Sequence, residues 1–351
     1  MGAIMPEPDL RHILAADIGG TNCRLARFAL TPQGELLKER AVWLESPALA
    51  TTKHLMAALE RELELHPAAA DATVLAIGGP VHDGLTGRLT NGSLEVDLRP
   101  LAERGGPPVR VINDFVAQAC ACLTDLGEGA RRLWPCADAS KDRPAPVRGP
   151  RAVIGAGTGL GVAVLYPLSM AVPGAEGWLV APSEGGHAAF PFVGDEENAF
   201  HDFLRKKLKL NAARGDDVLS GRGLAILHEF LTGERLSPGE VGRRALSSAT
   251  TTLCWYARFY GRACRNLMLS TLCTGGLWIA GGIAAHNPLC IGCAEFCDEL
   301  RAAPGFSGWL GEIPVRLLED VESGLWGAAQ YGRMLLAQHS SAISARPAPR
   351  N

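Results

Sequence analysis

Three glycine-rich turns each follow directly on a short apolar run. They are Ala16-Asp17-Ile18-Gly19-Gly20-Thr21-Asn22, Gly155-Ala-Gly157-Thr158-Gly159-Leu-Gly161 and Gly281-Gly282. Glycine lets backbone N–H groups come close to an anion, and a neighbouring Thr hydroxyl adds a donor. Two Gly-Thr turns, one in each half of the chain, suit the holding of phosphates from two sides. Asp17, at the end of its apolar run, is placed to hold Mg²⁺ through water. The alternative is that each is simply a turn; the recurrence of Thr21 and Thr158, together with Asp17, weighs against it.

Two further clusters carry candidate chemistry. In Val111-Ile-Asn113-Asp114-Phe115 a carboxylate ends an apolar run and precedes a helical pattern. Asp114 there is either a general base or a helix cap, since an N-cap residue occupies the same place. In Ser183-Glu184-Gly-Gly-His187 two polar side chains flank a tight turn, either facing one polyol ligand or standing on the surface. Cys290, Cys293 and Cys297 with His286 would share one face if a helix ran through them, as a zinc or redox site might need. Pro288 and Gly292 oppose such a helix, and buried thiols are the competing reading.

The elements that would position these residues can be read coarsely. The runs 13–17 and 24–30 around Gly19-Gly20 predict a β-hairpin, and 152–154 with 162–166 predict a second one. Two such hairpins hint at a duplicated architecture. Further strands are predicted at 73–77, 109–112, 277–280 and 315–318. Helical spacing marks 52–65, 115–123, 196–210, 224–232, 247–266 and 324–336, with Leu253, Tyr256, Tyr260 and Cys264 on one face of the longest. The stretch 127–150, rich in Arg and Pro, reads as a linker or long surface loop, and 339–351 as a frayed tail. Mixed strands and helices throughout indicate an α/β class.

Composition bounds the function. A chain of 351 residues has length for two domains, and 47% hydrophobic with 20% charged residues fits a globular protein. The formal net charge of -3 offers no basic field for nucleic acid. No apolar run is long enough to span a bilayer, and the first residues lack the layout of a signal peptide. Ten cysteines spread through apolar segments fit reduced thiols in the cytoplasm better than a disulfide framework. There is no G-x-x-x-x-G-K-[ST], H-E-x-x-H or G-x-S-x-G, and Gly155 to Gly161 does not fit the dinucleotide fingerprint.

Taken together and in this order, the segments resemble the bacterial glucokinase family, within the actin/hexokinase/Hsp70 ATPase superfamily. The resemblance rests on the motifs already quoted and on Leu89-Thr-Asn91, Val218-Leu-Ser-Gly221 and Ile279-Ala-Gly-Gly-Ile283, and it runs from about Ile13 to about Met334. It implies an α/β, two-domain actin-like ATPase (ribonuclease H-like) fold with a cleft between a small and a large domain. The expected small domain is 1–124, completed by 316–336; the large domain is 125–315; and 337–351 is a flexible tail.

The implied activity is transfer of phosphate from ATP to the 6-hydroxyl of glucose, with Mg²⁺, in cytoplasmic glycolysis. A kinase for mannose or N-acetylglucosamine, or a sugar-sensing pseudokinase, is the alternative. A homodimer is expected, with no nucleic-acid or membrane partner. By the resemblance, the turns holding Ala16, Asp17, Ile18, Gly19, Gly20, Thr21 and Asn22, and Gly157, Thr158 and Gly159, embrace the ATP phosphates. Gly281 and Gly282 lie against the adenosine part. Asp114 takes the hydroxyl proton, and Asn91, Asn113, Glu184, His187 and Asp216 join it in binding the sugar. The related ROK family carries a cysteine-rich zinc motif soon after its His; here Ala-Ala-Phe-Pro-Phe follows His187. One departure stands out: the glucokinase family usually has Glu two positions before Val-Leu-Ser-Gly, and this chain has Asp216.

Overall fold

The first apolar run forms β1 (Arg11–Ile18), in which Ile13, Leu14, Ala15 and Ala16 are wholly buried. The chain turns at Gly19-Gly20 and returns antiparallel as β2 (Asn22–Leu30), then again as β3 (Leu36–Glu45). Helix α1 (Thr52–Leu63) starts where the Thr51 side chain accepts the His54 N–H. Strand β4 (Ala72–Ile77) is buried at every residue, as a strand covered on both faces should be, and pairs parallel with β1. A small sheet of β5 (Val81–His82), β6 (Thr86–Arg88) and β7 (Glu95–Asp97) follows, with α2 (Arg99–Ala102) after it. Strand β8 (Val109–Asn113) then adds parallel to β4, and α3 (Asp114–Ala121) and α4 (Asp125–Glu128) follow. The five-stranded order is β3-β2-β1-β4-β8. Its register sets Ile18 beside Ile77 and Ile77 beside Asn113, so the carboxyl ends of three parallel strands are level. Ligands of open parallel sheets bind off such ends.

The structure, a computed structural model, describes residues 10–103, 106–134, 149–172 and 175–344. The chain divides into two compact units, one running through Glu128 and resuming at Glu322, the other Gly129–Val321. The second unit opens with β9 (Arg131–Trp134). Its hairpin is β10 (Arg151–Ala156) and β11 (Leu160–Pro167), and β12 (Trp178–Ser183) pairs beyond β11. The helices α5 (Gly194–Leu208), α6 (Gly215–Leu219), α7 (Gly221–Thr232), α8 (Pro238–Ala245) and α9 (Thr251–Thr271) come next. Strand β13 (Gly276–Ala280), α10 (Gly282–His286), α11 (Ala294–Arg301), α12 (Ser307–Glu312) and β14 (Val315–Leu317) complete it.

The second sheet has the order β12-β11-β10-β13-β14-β9, with β10, β13 and β14 parallel. An antiparallel three-strand meander followed by two parallel strands thus occurs in both units, and the duplication hinted by the two hairpins holds. The core helix of the second unit is α9, on which Leu253, Tyr256, Tyr260 and Cys264 are all buried as their spacing predicted. On the same helix Arg262, 3% exposed, is held by Glu197 and Glu299.

The last helix, α13 (Ser323–Ser344), belongs to the first unit, where Phe28 of β2 meets Trp326 edge-on at 5.0 Å. Three expectations are corrected here. The chain re-enters the first unit at Glu322 rather than at 316, because Val315–Leu317 pairs with β13; the second unit begins at Gly129, after α4, rather than at 125. Residues 337–344, expected as flexible tail, continue α13, while 345–351 lie outside the described residues. Of the Arg/Pro-rich stretch, 135–148 likewise lies outside them. Among the described residues no helix is long and apolar enough to cross a membrane.

Candidate active site

In the first unit the candidate residues gather at the level ends of β1, β4 and β8. Gly19 N–H donates to Asn22 O at 2.9 Å and closes the turn. Ser46 holds the turn's carbonyls: its Oγ donates to Gly19 O at 2.6 Å and its N–H to Thr21 O at 2.9 Å. Among the described residues no partner takes the N–H of Gly20 or Thr21. Two donors therefore stand at the tip of a braced turn, as an anion cradle requires.

Asp17 and Arg24 face each other across the hairpin, and Arg24 faces Trp43 on the next strand. Arg24 Nη1 donates to Asp17 Oδ2 at 2.9 Å, and its guanidinium lies 5.0 Å over the Trp43 ring. Burial pushes the Asp17 carboxyl above its ordinary pKa, and Arg24 only partly opposes it. At the third strand end, Asn113 Oδ1 accepts the Phe115 N–H at 2.9 Å and caps α3. Asp114 is the first residue inside that helix, and its Oδ1 accepts the same N–H at 2.9 Å. Its Oδ2 sits over Gly78, 3.4 Å from where a Cβ there would lie. Asn91 packs its backbone against Gly20.

In the second unit the 155–161 turn is braced in the same manner by different groups. Gly157 N–H donates to Gly159 O at 2.8 Å, and Gly157 O accepts from Gly221 N at the start of α7 at 2.9 Å. Leu160 N–H donates to Asp216 Oδ1 at 2.8 Å. Tyr260 of α9 takes the Ala156 N–H on its hydroxyl at 3.2 Å, and Tyr256 donates to Leu219 O at 2.7 Å, so one buried helix ties both the turn and α6. The N–H groups of Thr158 and Gly159 have no partner among the described residues, again two donors at the tip.

Glu184 and His187 are exposed, 3.5 Å apart, on a short 3-10 turn closed by His187 N to Glu184 O at 2.9 Å. Gly281 has φ +88, and a Cβ there would lie 2.6 Å from Ala156 O, so only glycine lets β13 end against β10.

The sequence profile of the glucokinase family matches residues 14–335. The chain belongs to the glucokinase family. The glucokinase of Pectobacterium atrosepticum is 31% identical over 337 residues, spanning 92% of this chain and 98% of that protein. A Yersinia pestis glucokinase is 30% identical over 94% of this chain and 99% of its own length. A solved glucokinase from an Antarctic psychrotroph matches with a TM-score of 0.72 at 26% identity, over 91% of this chain and 98% of that one. The Balamuthia mandrillaris glucokinase, solved in complex with glucose, is alike in fold at a TM-score of 0.73 and 23% identity, over 93% and 94%. The α/β, two-domain actin-like ATPase class implied by the sequence is therefore the fold of this chain.

Within that glucokinase fold several sequence expectations change. The helix cap beside the candidate base is Asn113, not Asp114. Asn113 has its Oδ1 on the helix and its Nδ2 directed to Gly79 O at 3.3 Å. Ala16 and Ile18 are wholly buried, so their side chains serve the core. Asp216, expected at a sugar hydroxyl, lies against the glycine turn, where its Oδ1 accepts the Leu160 N–H. The Cys290, Cys293 and Cys297 helix face does not form: a 3-10 turn over Pro288–Ile291 precedes α11. Among the described residues no group of three His, Cys, Asp or Glu side chains is arranged for a metal. Arg24 and Ser46 stand in none of the motifs as contacts of a turn, and Tyr260, read from the sequence only as part of an apolar helix face, also braces one. The Asp17–Arg24 pair was readable, since a hairpin centred on Gly20 and Thr21 sets those two residues opposite each other.

Proposed function

We propose that this chain is an ATP-dependent glucokinase that converts glucose to glucose 6-phosphate and ADP. The observation that carries the reading is the repeated cradle: each unit ends a buried strand in a braced turn with two donors at its tip, and in the first unit Asp114 directly follows β8, a parallel strand two places along the sheet. Such donors neutralise charge as it spreads over phosphate oxygens, and positioning with electrostatics is most of what phosphoryl transfer needs. In this reading the 17–22 and 157–159 turns take the phosphates, and Gly281 and Gly282 take the adenosine. Asp114 Oδ2 receives the proton of the 6-hydroxyl as that oxygen forms its bond to the γ-phosphorus and the bond to ADP breaks. Asn91, Glu184 and His187 hydrogen-bond the other hydroxyls, with Asn113 orienting the start of α3.

Mg²⁺ belongs to the same reading. A cation that keeps most of its waters needs one or two carboxylates besides the phosphates. Asp17 fits that part: it is one buried carboxyl whose ionisation burial opposes, so a second positive charge beside Arg24 favours its charged form. The ion would lower the charge on the phosphates. The nine described cysteines, none in a disulfide, suit an enzyme of the reducing cytoplasm, and glycolysis is the setting this product fits.

A kinase for another hexose is the second reading, favoured by Asp216 standing where the family usually has Glu. A coupled ADP-release assay on glucose, mannose and N-acetylglucosamine tests both. Glucose should give the highest kcat/KM; a higher value for another sugar selects the second reading, and no release with any sugar rejects kinase activity.

A further inference from the structure

We propose that Asp216 is a positioning residue for the phosphate turn, so that its effect falls on ATP rather than on the sugar; this rests on the kinase reading above. Its Oδ1 accepts the Leu160 N–H at 2.8 Å, and a Cβ added at Gly159 would lie only 2.7 Å from the same oxygen. The carboxylate therefore supports the turn from beneath, at the residue that carries one of the two open tip donors and at the next. The surroundings are built around Leu160. Gly186 passes so close that a Cβ there would be 1.9 Å from Leu160 O, and a Cβ on Gly215 would be 3.0 Å from Leu160 Cδ2. The carbonyl of Leu160 meets Gly186, its side chain and N–H meet the consecutive residues Gly215 and Asp216 at the start of α6, and Asp216 supplies the charged group among them.

Side-chain length explains the choice of Asp. Extending the side chain by one methylene, about 1.5 Å, moves the carboxylate past the Leu160 N–H and into the space kept open by Gly159. Without the acceptor, the Leu160 N–H is left unpaired at a residue 8% exposed, and the turn relaxes to find another partner. The tip donors then lose the geometry that a phosphate reads.

The test uses the full chain carrying Asp216→Ala, Asp216→Asn, Gly159→Ala or the pair Gly159→Ala/Asp216→Ala. Thermal unfolding checks that each is folded. ATP and glucose KM are measured separately, and a non-hydrolysable ATP analogue and glucose are each titrated by calorimetry. Asp216→Ala should weaken analogue binding about fivefold or more while glucose affinity stays within about twofold. Asp216→Asn, which keeps an acceptor on the Leu160 N–H, should recover most of that loss. Gly159→Ala and Asp216→Ala should be non-additive on the analogue, because removing the carboxylate makes room for the new methyl. Weakened glucose binding with unchanged analogue binding would overturn the proposal and restore Asp216 to the sugar. Additive effects in the pair would overturn it as well. If the wild type binds the analogue but releases no ADP with any hexose, the kinase reading fails while the titrations still decide the role of Asp216.

Discussion

Replacing Gly157 separates ligand chemistry from folding. A Cβ at this position meets nothing within 4 Å, whereas most glycines near the strand ends have backbone close by. Its N–H and carbonyl are both engaged, with Gly159 O and Gly221 N, and a side chain disturbs neither bond. Its φ is not in the left-handed region. Gly157→Ala should therefore leave stability unchanged or raise it by about 0.4–1 kcal/mol, through a less flexible unfolded chain. ATP should respond in the opposite sense. A hydrogen bond from a turn amide to a charged phosphate is worth about 1.5–3 kcal/mol. Losing one of the two tip donors to displacement predicts a fall of roughly 10- to 150-fold in kcat/KM for ATP. Val, with two more methyl groups in that open space, should sit at the upper end.

The assay pairs calorimetric thermal unfolding with kcat/KM for ATP at saturating glucose, and adds glucose binding without nucleotide. The signature is a Tm at or above wild type, glucose affinity within about twofold, and ATP use down by an order of magnitude or more. Gly186→Ala is the contrasting control, because its Cβ would fall 1.9 Å from Leu160 O and must move backbone. A folded Gly157→Val enzyme with ATP kcat/KM within about threefold of wild type would refute the phosphate role of the turn. Equal losses for both ligands would refute it too.

Three further outcomes are expected. Asp114→Asn should lower kcat by about 10²-fold or more at nearly unchanged Tm, since Asn113 still caps α3; a normal kcat in folded protein removes the base. Asp17→Asn should be inactive, and its stability should fall less than that of wild type as pH rises from acid to neutral. Burial raises the Asp17 pKa in the folded state, so the wild type loses stability as pH rises from the ordinary carboxyl range through that raised value, and the Asn variant does not; a Tm difference independent of pH contradicts this. Arg262→Leu should cost about 3–5 kcal/mol by leaving Glu197 buried without its cation, roughly 6 °C or more in Tm; a smaller shift means that Arg258 carries the pairing alone.

The strands and turns were legible because apolar runs ending in glycine have few other solutions. The two hairpins, the buried face of α9 and the candidate base all came from local pattern. What stayed hidden depends on register and on long-range approach. Arg24 opposite Asp17 follows from the hairpin centre, but Trp43 opposite Arg24 does not. The β2–β3 pairing shifts by one residue between Arg27 and Phe28, and that irregularity moves Trp43, rather than its neighbour Val42, onto Arg24. Asp216 and Leu160 lie 56 residues apart, and only the close passage of Gly186 and Gly215 brings α6 beneath the turn. Asn113 and Asp114 both looked able to cap; the backbone places Asn113 at φ -67 and ψ 148, outside the helix, and so decides between them.

The two cradles solve one problem with one backbone and two sets of supports. In each, the N–H of a glycine early in the turn closes it, and the next residues leave two donors at the tip. The first turn is then braced by Ser46, through its backbone N–H and its hydroxyl. The second is held by the start of α7 and by a carboxylate. A repeated sheet explains why the turns recur, since each sits where an antiparallel hairpin leaves the strand that begins the parallel part. It does not explain the supports, because those come from segments outside the repeat. The backbone that meets phosphate is therefore common to both halves. The residues that set its stiffness are particular to each half, and Asp216 falls in that second class.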